Sequence, residues 1–160
     1  MSKRTAKRNC SGRSKVGPMY ASDAALLQMT EQLHMHQGDI HRLITDLGKA
    51  QFSAAKDVVA EYLHDPDGFI RSQALITLAS DFQLPEYEAT ARAFLTTDPD
   101  GDCQLAAITV LSYFQANTQD RSTLALLAMT AHDTSLEEVI RTAAYPAARR
   151  EKENRATPAE

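Results

Sequence analysis

This 160-residue sequence contains no tryptophan, only two cysteines, and only six glycines and six prolines. Helix-breaking residues are therefore sparse, and 43% of the chain is hydrophobic, which is typical of a globular domain rich in helix. No stretch alternates Val, Ile or Thr with polar residues over the length of a strand. We predict an all-α protein whose core needs neither disulfides nor a metal ion.

The two cysteines are not expected to pair, because Cys10 lies in a polar N-terminal segment and Cys103 in a predicted core helix. Reduced thiols are typical of the cytosol. The N-terminal charges are not followed by the apolar segment of a secretory signal, and no apolar run is long enough to span a bilayer. These absences predict a cytoplasmic protein with no membrane partner.

The formal net charge of -4 conceals two regions of opposite sign. Residues 1–15 contain no acidic residue, and the remaining residues contain 11 Lys and Arg against 21 Asp and Glu. We predict a disordered basic arm at 1–18 and a disordered or frayed tail at 149–160. The arm could bind nucleic acid through residues 3–15, could act as a solubilising tail, or could lie along the acidic body. Its six basic side chains are Lys3, Arg4, Lys7, Arg8, Arg13 and Lys15.

A repeat organises the rest of the chain. Residues 65–78 begin with Asp-Pro-Asp-Gly, and the same four residues return 33 positions later at 98–101. Ala74 and Leu78 recur as Ala107 and Leu111. A looser third copy starts at residue 132 and has two extra residues. A period of this length is typical of stacked helical hairpins.

The spacing of apolar residues predicts eight helices that form about four antiparallel pairs. Gly48 is expected just past the end of the second helix, in a left-handed conformation. The eighth helix is expected to start at Ser135 in a capping box and to bury Val139 and Ala143. Pro146 is expected to kink or end it.

The pattern of Asp65, Phe69-Ile70-Arg71, Ala74 and Leu78 resembles the HEAT repeat, and its short period is similar to the HEAT-like repeats of phycobilisome lyases. This resemblance implies an armadillo-type fold, a right-handed α-solenoid over residues 19–148. In that family an Asp in the turn and an Arg six residues later link neighbouring repeats. The resemblance therefore implies a structural ladder of Asp65, Arg71, Asp98 and Arg141. The second copy departs from the pattern, because Gln104 replaces the Arg.

Two candidate metal sites are incomplete. Asp98, Asp100 and Asp102 alternate as in a calcium loop, but Cys103 and Thr109 stand where a Gly and a Glu are required. A capped turn before a helix is the better interpretation. The second candidate, His34, His36 and His41, has no further ligand nearby to complete a zinc site. We predict no metal and no cofactor.

The sequence also lacks the features of two classes of HEAT-like enzyme. HEAT-like hydroxylases have repeated His-Glu pairs, which this sequence does not have. HEAT-like alkylpurine glycosylases use a basic concave surface with aromatic residues that include Trp. This chain has no Trp, and its acidic body repels phosphate. We therefore predict no catalytic residues.

The second helix of each pair lines the concave side in proteins of this type, so its outward positions are the predicted partner-binding residues. Burial of Leu105 and Tyr113 between repeats is the alternative. We predict a protein-binding scaffold or adaptor, for example an immunity or inhibitor protein, whose partner has a basic surface. The alternatives are a lyase-like protein or enzyme subunit that holds a small ligand, or nucleic-acid binding through the arm. The predicted contact residues are Ser72, Gln73, Ile76, Ser80, Leu105, Thr109, Tyr113 and Thr142.

Overall fold

The structure is a computed structural model that describes residues 22–118 and 120–156. Within these ranges it is helical and has no strand, which confirms the predicted all-α class. The basic arm at 1–18 lies outside the described residues. The eight α-helices are Asp23–His34 (α1), Ile40–Lys49 (α2), Lys56–Glu61 (α3), Gly68–Ile76 (α4), Glu88–Thr97 (α5), Gly101–Thr118 (α6), Arg121–His132 (α7) and Glu138–Ala156 (α8).

Side-chain caps start several of these helices. Ser22 Oγ accepts a hydrogen bond from the Ala25 amide, and Asp39 Oδ1 accepts one from the Arg42 amide. Asp67 caps α4 in the same way. These oxygens satisfy amides of the first turn that have no partner within the helix.

The sequence predicts that Gly48 lies just past the end of the second helix, but the structure does not place it there. It lies inside α2, and the positive φ after this helix belongs to Gln51 (φ 52°). Gly48 is needed for close packing instead, because a Cβ built there would lie 2.5 Å from Asp81 Oδ2 and 2.9 Å from Thr77 Cγ2. Asp81 ends a π-helical turn, Thr77–Asp81, that follows α4 directly.

The start of α8 also differs from the prediction. The helix begins at Glu138, three residues after Ser135, whose hydroxyl donates instead to Asp133 Oδ1 at 2.6 Å. Val139 and Ala143 are exposed, not buried. Pro146 does not end α8, which continues to Ala156, so the predicted tail is helical from 149 to 156. Residues 157–160 lie outside the described part of the chain.

The core is continuous along the helices. Helix α4 packs against α2 and α6, and α6 packs in turn against α5, α7 and α8. The largest fully buried apolar side chains come from every α-helix except α5 and from the π-helical turn after α4: Leu33, Ile44, Leu47, Val59, Leu75, Leu78, Val110, Leu111, Leu127 and Ile140. The second helices of successive pairs, α2, α4, α6 and α8, are thus neighbours in space. No helix in the described ranges is long and apolar enough to cross a bilayer.

Candidate binding surface

The repeated Asp-Pro-Asp-Gly turns are linked by an ion pair. Arg71 Nη2 donates to Asp98 Oδ1 at 2.8 Å, and Arg71 Nε donates to Asp98 Oδ2 at 3.1 Å. Arg71 Nη1 also donates to the carbonyls of Asp65 (2.8 Å) and Pro66 (3.0 Å) in its own turn. Arg71 therefore holds the turn before α4 against the turn before α6. The structure brings together Asp65, Arg71 and Asp98, three of the four predicted ladder residues.

This ion pair is largely buried, since the Arg71 and Asp98 side chains are only 15% and 10% exposed. Burial raises the pKa of Asp98, but hydrogen bonds from Arg71 and the Asp100 amide outweigh burial, so the pKa lies below its usual value. The hydrogen bond to Asp98 stabilises the charged form of Arg71 and so raises its pKa. A two-point contact between a guanidinium and a carboxylate fixes both distance and orientation. The link therefore sets how the two turns stack.

Gly68 and Cys103 complete the contact between these turns. A Cβ built at Gly68 would overlap the Asp100 carboxyl group, so only glycine fits there without a shift. Cys103 Sγ donates to the Gly68 carbonyl at 3.2 Å. Burial raises the pKa of the Cys103 thiol to about 12. This buried thiol packs between the two turns and stays protonated near neutral pH.

The ladder does not continue in the same form beyond α6. Gln104 Nε2 donates to the Asp98 carbonyl at 3.0 Å, so Gln104 keeps the contact to its own turn. Arg141, the fourth predicted ladder residue, has a buried Nε that donates to no acceptor. Asp133, in the turn before α8, accepts from Ser135. The Arg71–Asp98 arrangement is therefore not repeated through Arg141 Nε.

A second polar link, which the sequence did not lead us to predict, joins α5 to the start of α7. Arg92 Nη2 donates to Glu88 Oε1 at 2.9 Å and to Asp120 Oδ2 at 3.1 Å, and it also contacts Thr123 Oγ1. Hydrogen bonds from Ser122 and Thr123 lower the pKa of Asp120, which caps α7. The i, i+4 spacing of Glu88 and Arg92 was the available sequence signal.

The predicted partner-binding residues divide by exposure. Thr109 and Thr142 are exposed, and Tyr113 is 38% exposed with its ring tilted against Phe114. Ser72 is buried, contrary to the prediction, because its hydroxyl donates to the Phe69 carbonyl at 2.8 Å. The other four predicted residues are half-buried: Gln73, Ile76, Ser80 and Leu105. Of these, Ile76 and Leu105 pack on the core.

Two exposed apolar residues belong with this surface and were missed. Phe69 is 49% exposed and stacks on His41 with 4.4 Å between ring centroids, and Val139 is 52% exposed. They occupy equivalent repeat positions, and Asp102 is the equivalent residue of the second copy. That charged residue was the signal that the position faces solvent. We call the outward residues of α4, α6 and α8 the second-helix face: Phe69, Ile76, Thr109, Tyr113, Val139 and Thr142.

The candidate metal residues are not brought together. His36 Nδ1 lies 3.3 Å from the Tyr62 hydroxyl, whereas His41 stacks on Phe69. The Asp98 and Asp100 carboxylates accept from backbone amides two residues later, as in a capped turn. In the part of the chain that the structure describes, no three His, Cys, Asp or Glu side chains are grouped to hold a metal ion.

Comparison with known proteins finds no match. No protein-family model, no curated protein and no solved structure is similar to this chain. Its function is therefore inferred from the geometry and chemistry of the surfaces described above.

Proposed function

We propose that this protein is a non-catalytic scaffold of the cytoplasm that binds a basic segment of another protein. In this proposal the four helix pairs stack as a right-handed HEAT-like solenoid. The side-by-side packing of α2, α4, α6 and α8 supports this arrangement, as does the Arg71–Asp98 link between successive turns. The second-helix face is then the concave surface.

The observation that carries the proposal is the exposure of Phe69 beside the acidic turns. An aromatic ring half-exposed to water is available to anchor a partner, and aromatic residues are enriched among the residues that dominate binding energy. Val139 and Tyr113 add apolar surface on the neighbouring helices. Exposed apolar residues on neighbouring helices of one face often mark a protein interface.

The acidic residues next to this surface favour a basic partner. The side chains of Asp67 and Asp102, at the starts of α4 and α6, and of Asp133, in the turn between α7 and α8, are exposed. Carboxylates at the rim of an apolar contact surface attract a basic partner and increase its association rate. The contact should therefore combine an apolar anchor with Lys or Arg side chains, and it should weaken as salt is added.

Affinity capture with matched variants tests this proposal. Phe69→Asp and Val139→Asp should each lose a partner that the wild type captures from the native cell. Ala93→Asp, a similar change at an exposed position of α5, should keep it. With the purified partner, Phe69→Ala should weaken binding by about 1–2 kcal/mol, roughly a fivefold to thirtyfold change in Kd, by calorimetry. Capture that persists in both Asp variants, or a partner with an acidic surface, contradicts the proposal.

Removal of residues 1–18 separates this function from the nucleic-acid alternative. A scaffold that uses the second-helix face should keep its protein partner after the deletion. Binding to nucleic acid that falls steeply with salt and disappears with the six basic residues of the arm would instead support the alternative.

A further inference from the structure

An apolar groove lies at the C-terminal end of the helix array, between α7, α8 and the end of α5. Its volume is about 1090 Å³. Met129 and Tyr145, on facing helices, are 72% and 59% exposed. Lys152 and His132 lie at its edge with Asp133. We call it the end groove; its lining residues include Leu95, Leu126, Met129, Leu136, Tyr145 and Lys152.

The side of α8 that lines the end groove corresponds, by the repeat, to a side of α4 that another helix pair covers. Tyr145 of α8 is equivalent to Leu75 of α4, which is fully buried (0% exposed). The contact of Gly68 with Asp100, and of Arg71 with Asp98, shows that this side of α4 packs against the next helix pair. On α8 no helix of the described residues packs on the same side, and Tyr145 is 59% exposed. The end groove is thus a face that accepts a helix in the preceding repeat.

The edge of this groove favours one sign of charge, because Lys152 is exposed there. Arg141, one helical turn before Tyr145 on α8, does not line the groove. Its equivalent, Arg71, donates two hydrogen bonds to a carboxylate of the next pair. Among the described residues, Arg141 Nε has no acceptor. The groove therefore fits an apolar helix that carries acidic residues.

Helix α1, at the opposite end of the array, has these properties. Leu27 and Met35 are 58% and 56% exposed. Glu31 is exposed on the same side of the helix, four residues from each, and Asp23 is exposed in the first turn. Residues four apart lie next to each other on one helix face. The outer face of α1 is thus apolar and acidic, complementary to the end groove.

We propose that the end groove binds α1 of a second copy of this chain. The contact joins the tail of one molecule to the head of the next, with Leu27 against Tyr145 and Met129, and with Glu31 near Lys152. A tail-to-tail contact would instead place Lys152 of both copies together. A head-to-tail contact leaves one free end on each molecule, so assembly continues with concentration. This surface is separate from the second-helix face, so either proposal can fail alone.

Analytical ultracentrifugation of the full chain with two end-blocked variants tests the contact. The head variant is Leu27→Lys with Glu31→Lys, and the tail variant is Tyr145→Glu with Lys152→Glu. Wild type should form species larger than a dimer as concentration rises, and the assembly should weaken with salt. Each variant alone should be monomeric, because reversed charge should weaken the contact roughly tenfold or more. A 1:1 mixture should give a heterodimer and nothing larger, since each molecule keeps one intact end.

Ala143→Glu is the matched control, because it places a charge at an exposed position of α8 outside both the end groove and the second-helix face and should leave assembly unchanged. Circular dichroism checks that each variant is folded. A wild type that stays monomeric, a blocked variant that still assembles alone, or a mixture that does not associate overturns the proposal. Deleting residues 1–18 should leave assembly intact, and loss of assembly in that deletion would assign the contact to the basic arm.

Discussion

The two glycines of the repeated turns should respond differently to the same substitution. Gly68 begins α4 and Gly101 begins α6, and neither has a positive φ. A Cβ built at Gly68 would lie within 2.5 Å of all three atoms of the Asp100 carboxyl group. At Gly101 it would meet nothing within 4 Å. We predict that Gly68→Ala destabilises the protein and that Gly101→Ala does not.

The size of the destabilisation by Gly68→Ala depends on the hydrogen bond that Asp100 would lose. Its Oδ1 accepts a hydrogen bond from the Asp102 amide at 2.9 Å, and rotation away from the new methyl group would break this bond. A lost hydrogen bond costs about 1 kcal/mol. Overpacking adds about 1–3 kcal/mol. The gain of about 0.4–1 kcal/mol from a less flexible unfolded chain offsets part of these costs, and the Asp100 carboxyl is the mobile end of its side chain. We therefore expect Gly68→Ala to lower the free energy of unfolding by about 1–3 kcal/mol.

Gly101→Ala provides the internal reference. Alanine at a compatible backbone position reduces the entropy of the unfolded chain, so this change should stabilise the protein by about 0.4–1 kcal/mol. The two substitutions add the same methyl group at equivalent positions of the repeat. A difference between them therefore reports the contact with Asp100 and not helix propensity.

Urea unfolding followed by circular dichroism measures both effects. With an m-value of about 2 kcal/mol/M, a loss of 2 kcal/mol lowers the midpoint by about 1 M. Asp100→Ala should remove the clash, so Gly68→Ala should cost much less in that background. Equal midpoints for the two glycine variants, or an undiminished cost in the Asp100→Ala background, would refute the proposed packing of the turns.

Three further predictions concern buried polar groups. Arg71→Ala should lower the free energy of unfolding by about 3 kcal/mol because it leaves Asp98 buried without its partner, and Arg71→Lys should restore only part of this, again by urea unfolding. Burial raises the pKa of Asp81 in the folded state. The ionisation of Asp81 therefore lowers the free energy of unfolding as pH rises from the pKa in the unfolded chain, about 3.9, through the higher pKa in the folded protein. Asp81→Asn should therefore stabilise the protein near neutral pH but not at about pH 3, and a gain that is independent of pH would contradict this. Cys103, buried and with a pKa of about 12, should resist Ellman's reagent in a Cys10→Ser variant until urea unfolds the chain, and fast labelling in native buffer would show an accessible thiol.

The sequence predicted the helices well where local signals agree. Asp39 caps α2, and the apolar spacing of Leu43, Ile44 and Leu47 marks its buried face. Capping and amphipathic spacing depend on residues within one or two turns, so a single sequence contains them. The resemblance to HEAT-like repeats implied that Asp65, Arg71 and Asp98 link neighbouring turns, and the structure brings these three together.

The errors came from positions where the surroundings of a residue, and not its local pattern, decide the outcome. Gly48 has the local pattern of a helix end, but the close approach of Asp81 and Thr77 from a later helix requires glycine there. Ser135 has the pattern of a cap, but its hydroxyl bonds to Asp133 and the helix starts later. Val139 has the apolar character of a core residue, but no helix in the described ranges covers it, and it is 52% exposed.

The sequence by itself determined the helical class, the turns of the repeat and most of the buried faces, because these follow from periodicity and from the conformational preferences of nearby residues. Only the tertiary structure decided which apolar residues remain exposed. Leu75 and Tyr145 occupy the same repeat position, yet one is fully buried and the other is 59% exposed. The physical reason is that burial at such a position depends on whether another helix pair packs on it, and not on the residue or its helix.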